Sequence, residues 1–67
     1  MAKIMTKVLV WHDERAKPET CKGSRRDAET FLYDYGFHAG EVRKIMGAPL
    51  WHDTFIGQCT IQVQQVV

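Results

Sequence analysis

Apolar and polar positions along the chain divide it into segments of different period. From Ile4 to His12 the residues are mostly β-branched or bulky, and no Gly or Pro interrupts them, which predicts a first strand. In a strand the side chains alternate between faces. Ile4, Thr6, Val8, Val10 and His12 then share one face, and Met5, Lys7, Leu9, Trp11 and Asp13 share the other. Both faces are partly apolar. That suits a central strand, or one whose second face meets a partner.

The stretch 13–23 (DERAKPETCKG) is polar and contains Pro18 and Gly23, so it reads as a loop with room for a short edge strand around Thr20 and Cys21. A helix begins after Ser24. Ser24 and Asp27 stand three apart, as in a capping box with a shorter carboxylate, and Gly36 stands where a left-handed cap would end the helix. Between them Ala28, Phe31, Leu32 and Tyr35 fall at i, i+3, i+4 and i+7 and form one apolar stripe.

Residues 41–46 (EVRKIM) fit either a strand or a helical turn. The glycines on either side, Gly40 and Gly47, favour a strand. From Trp51 to Val67 the pattern predicts a hairpin with Gly57 at its bend, and its last arm alternates cleanly. Cys59, Ile61 and Val63 take one side and Thr60, Gln62 and Gln64 the other. The expected fold is a single small α+β domain over 1–67, in β-α-β-β order. It has an antiparallel sheet of three to four strands and one amphipathic helix on one face. One helix covers one face only, so the opposite face meets water or a partner.

Size and charge narrow the function classes. A chain of 67 residues buries only about 60% of the surface its unfolded form exposes, so its stability is marginal without a staple or self-association. Nine basic against eight acidic residues leave a net charge of +1, too little to draw the whole molecule onto nucleic acid or an anionic membrane. Lys3 and Lys7 interrupt the N-terminal stretch, and no apolar run reaches the roughly 18 residues of a membrane span. The expectation is a cytoplasmic protein with no membrane partner. Its two cysteines should remain thiols there.

The triplet Trp-His-Asp occurs twice, at 11–13 and 51–53, and uses both tryptophans. His12, Cys21, His52 and Cys59 offer the donor types of a zinc site. They lack the closely spaced pairs such sites use, so packing or surface roles are the simpler reading and no cofactor is expected. Catalysis is not expected either. His and Asp adjacent on a strand point to opposite faces, and Ser24 is explained as a cap. Lys17, Lys22, Arg25 and Arg26 surround the helix start, where free N–H groups favour an anion. They form the candidate for a nucleic-acid or phosphate binder, with Arg15 nearby. Asp27 and Glu29 dilute that field.

Aromatic residues and arginine dominate protein-binding hot spots. Trp11 faces away from Val8 and Val10, Tyr33 lies off the helix stripe, and Trp51 sits near a turn. Together with Arg43 they are the expected contact surface. The glutamines of the last strand could also mark an unprotected edge. The leading expectation is a non-enzymatic protein-binding module, a homodimer as well, that acts through a sheet face or edge. A chain this short without a catalytic motif fits a phage or mobile-element type inhibitor of a host protein.

Overall fold

The computed structural model describes residues 4–12 and 17–67. Asp13, the last residue of the first Trp-His-Asp triplet, and Arg15, beside the basic cluster in sequence, lie outside the described residues. In chain order the elements are β1 (Met5–His12), β2 (Glu19–Gly23), α1 (Arg25–Tyr35), α2 (Ala39–Gly47), β3 (Asp53–Ile56) and β4 (Cys59–Val66). The four strands form one antiparallel sheet in the order β2-β1-β4-β3. The α+β class and four-stranded sheet agree with the sequence reading, and β2 is the short edge strand expected around Thr20 and Cys21.

Two expectations are corrected. Residues 41–46 belong to α2, a second helix, and not to a strand. Val42, Ile45 and Met46 are spaced i, i+3, i+4 and are all buried, so the helical period prevails over the flanking glycines. His38 caps the helix: its Nδ1 accepts from the Glu41 N–H at 3.3 Å, and the Glu41 carboxylate accepts from the His38 N–H at 3.1 Å. The second correction concerns β4, which is an inner strand between β1 and β3, so its glutamines do not line an edge. The edges are β2 and β3, of five and four residues. Short edges give another chain little template to pair with.

Helix α1 follows its sequence signals closely. Ser24 Oγ accepts from the Asp27 N–H at 3.1 Å, and Asp27 Oδ2 accepts from the Ser24 N–H at 3.0 Å. At the other end Gly36 adopts φ 125°, and its N–H donates to the Leu32 and Tyr33 carbonyls. Phe37 then donates to Leu32 O at 3.1 Å and turns the chain into α2.

Both helices pack on the same side of the sheet. Val8 and Val10 of β1 and Ile61 and Val63 of β4 meet Ala28, Leu32, Val42, Ile45 and Met46 in one core. Phe37 closes that core beneath Tyr35, with their rings stacked at 5.6 Å. All core residues of β1 have even numbers. Parity therefore sends Met5, Lys7, Leu9 and Trp11 to the opposite face of the sheet, where no described element covers them.

Candidate functional site

The register of the sheet builds the uncovered face row by row. One row runs Trp11, Thr60, Phe55 across β1, β4 and β3. The next runs Thr20, Leu9, Gln62, Asp53 across all four strands, and the third runs Lys22, Lys7, Gln64. Met5 and Val66 end the face. Aromatic side chains thus occupy one end, two lysines lie side by side in the middle, and aliphatic residues thread between them.

Phe55 is the residue that sequence patterning missed. In the run Asp53-Thr54-Phe55-Ile56 hydropathy would place Phe55 inside, yet Phe55 is 69% exposed and Thr54 is buried. Register decides this. Thr54 pairs with Ile61, whose side chain is fully buried under the helices, and so its neighbour Phe55 must face the other way. A large exposed apolar side chain on an uncovered face is the kind of exposure that carries functional information.

The polar side chains of the face form a directed chain. Gln64 Nε2 donates to Gln62 Oε1. The Gln62 amide in turn donates to Asp53 Oδ1 at 3.2 Å and to the Trp51 carbonyl at 3.1 Å. Asp53 is the only acidic residue that parity and register place on this face among the described residues, and its carboxylate is engaged at the β3 end. Lys7 and Lys22 have no acidic partner among the described residues.

The four residues expected to form one protein contact do not share one surface. Trp11 lies on the uncovered sheet face. Trp51 precedes β3 and is 56% exposed, with a positive φ of 68° that its N–H bond to Val63 O holds in place. Tyr33 and Arg43 are on the helical side. There, with Arg25 and Glu29, they border a cleft of about 250 Å³ between α1 and α2, floored by Val42 and Met46.

The basic cluster is likewise divided. Lys22 belongs to the sheet face, whereas Arg25 reaches towards α2, donating to Met46 O at 3.2 Å and lying 3.9 Å from Glu29. Lys17 and Arg26 are exposed. The start of α1 already holds an anion of its own, because Asp27 accepts from the Ser24 N–H. A Cβ on Gly23 would meet Asp27 Oδ2 at 2.6 Å, so the space a foreign anion would use there is filled.

Of the four zinc-type donors, only His12 and Cys59 are directly paired across strands. Cys21 pairs with Val8 on the far side of β1 and contacts the Asp27 carbonyl, and His52 is exposed before β3. Two strand spacings of about 4.8 Å separate β2 from β4, beyond the roughly 7 Å Cα limit of a disulfide. The cysteines are accordingly unbridged. No group of three or more His, Cys, Asp or Glu able to hold a metal occurs among the described residues. Nor, among those residues, is any helix long and apolar enough to cross a membrane.

No protein family, no curated protein and no solved structure matches this chain.

Proposed function

We propose that the protein is a non-enzymatic binding module that recognises another protein through the uncovered face of its sheet. Trp11 and Phe55 are the anchors and Leu9 lies between them and the lysines. The observation that carries this reading is the segregation of layers: both helices pack on one face, while the other presents Trp11 and a 69% exposed Phe55 in a single cross-strand row. Aromatic anchors set among neutral polar groups are the usual composition of a binding hot spot and its rim.

Strands lie about 4.8 Å apart and rise about 3.3 Å per residue, so four strands of four to eight residues present roughly 400 Å² in projection. Stable interfaces bury about 800 Å² a side, so a face of this extent suits a small complex that exchanges readily. Such a module acts by occupying a partner's surface. That is the manner of an inhibitor encoded by a phage or mobile element, which is the context we favour. A second copy of the chain is the competing occupant.

The test is quantitative capture from lysate by the wild type and by the Trp11→Ala/Phe55→Ala double variant, with light scattering of each protein alone. Proteins held by the wild type and lost by a variant that keeps its far-UV spectrum support the reading. Capture that the double variant leaves unchanged refutes it. A wild-type mass of two chains that the variant halves assigns the face to self-association instead.

A further inference from the structure

Resting on that reading of the sheet face, we infer that the partner presents acidic side chains to Lys7 and Lys22, flanked by apolar residues that meet Leu9, Trp11 and Phe55. Lys7 and Lys22 are direct cross-strand neighbours. Like charges placed opposite each other destabilise a sheet, so this pair works against the fold that carries it. Nothing among the described residues relieves it. Glu19 pairs with Val10 and so falls on the helical side by parity, while Asp53 stands two strands away and accepts from Gln62. The remaining neighbour in the row, Gln64, is neutral and donates its amide to Gln62.

Unrelieved among the described residues, the charge is complementary to an external anion, and its surroundings decide which kind. Two lysines neutralise at most two phosphates, too few for a nucleic-acid site whose affinity grows with each phosphate neutralised. Met5, Leu9, Val66, Trp11 and Phe55 add aliphatic as well as aromatic surface, which an apolar protein patch matches and a sugar-phosphate chain does not. A second copy of the chain brings its own lysine pair to the contact. Carboxylates beside apolar side chains fit best.

Such a surface makes an unusual demand on its variants. Lys22→Glu places opposite charges across from each other and should raise the melting temperature, because opposite-charge cross-strand pairs stabilise a sheet. The same change should weaken binding. Folding and binding move in opposite directions, which a merely structural role for Lys22 does not allow.

The experiment selects random displayed peptides on the immobilised protein at low salt and measures affinities of the synthetic winners by tryptophan fluorescence. An oligothymidylate of 15 nucleotides serves as the nucleic-acid probe. Winners should carry Asp or Glu next to aromatic or aliphatic residues, and should bind Lys7→Glu and Lys22→Glu at least tenfold more weakly. Lys22→Glu should nonetheless melt at or above the wild-type temperature. Winners without acidic residues that still need Trp11 and Phe55 overturn this inference and leave the sheet-face reading standing. Winners indifferent to Trp11→Ala and Phe55→Ala, no winners at all, or tighter binding of the oligothymidylate overturn both.

Discussion

Replacing Gly23 by alanine should produce an effect whose sign depends on a residue four positions away. The φ of Gly23 lies outside the left-handed region, so alanine fits its backbone. On that ground alone the change would stabilise by about 0.4–1 kcal/mol through the unfolded chain. The obstacle is Asp27, whose Oδ2 would lie 2.6 Å from the new Cβ while it accepts from the Ser24 N–H. To make room the carboxylate must swing away and give up its half of the capping box. Loss of a whole cap costs about 0.5–2 kcal/mol, so losing the reciprocal bond with some crowding is set at about 1 kcal/mol. Gly23→Ala should then be neutral to slightly destabilising in the wild type. In an Asp27→Ala background, where nothing collides, it should stabilise by about 0.5 kcal/mol. Urea titration of the four proteins, followed by far-UV circular dichroism, closes the double-mutant cycle. The expected coupling is about 1 kcal/mol. A coupling below about 0.3 kcal/mol, the ordinary scatter of independent sites, would refute the argument.

Two further substitutions test the core and the hairpin. Ile61 is fully buried between the sheet and both helices. Removing about three carbons at ~0.8 kcal/mol each, plus the cavity they leave, puts Ile61→Ala at about 3–4 kcal/mol. A chain of 67 residues has only roughly 3–10 kcal/mol in all. The variant should melt far below the wild type by circular dichroism, whereas Phe55→Ala, one strand away but on the open face, should keep its fold and lose about 1 kcal/mol or less. Equal losses would contradict the assignment of faces. Gly57 has φ 59°, and a Cβ added there would meet nothing within 4 Å, so any cost of a side chain is conformational. Gly57→Ala should lower stability by about 1 kcal/mol and Gly57→Asn by less, read from urea midpoints, and equal midpoints for alanine and glycine would refute the turn geometry.

Much of this architecture is legible in the sequence because local chemistry specifies it. The Ser24–Asp27 pair, the stripe through Ala28 and Leu32, and the Gly36 stop locate α1 without knowledge of what it packs against. The parity of β1 likewise sends Trp11 away from Val8 and Val10. Helix α2 was obscured by Gly40 and Gly47, although the spacing of Val42, Ile45 and Met46 carried its period. Its cap is a histidine, outside the usual set of Ser, Thr, Asp and Asn, so the capping box with Glu41 is not recognisable from residue types alone.

Strand order is not a local property. Only the path through α1 and α2 brings β4 beside β1 and leaves β2 and β3 as edges, and the glutamines of β4 look the same at an edge or inside. The candidate site depends on that order. Lys7 and Lys22 become neighbours through the β1–β2 register, and Phe55 joins Trp11 only across Thr60. Tyr33 and Arg43 both line the interhelical cleft, which a reading of 41–46 as strand could not foresee.

The most direct test of the sheet-face account is a nuclear magnetic resonance titration of the labelled protein with a bound partner, whether a captured protein or a selected acidic peptide. The account predicts shifts of the Trp11 indole, the Phe55 ring and the Lys7 and Leu9 amides, with Tyr33, Arg43 and the interhelical cleft unmoved. Shifts confined to Tyr33, Arg43 and Arg25, with Trp11 and Phe55 unchanged, would place recognition on the helical side and contradict it.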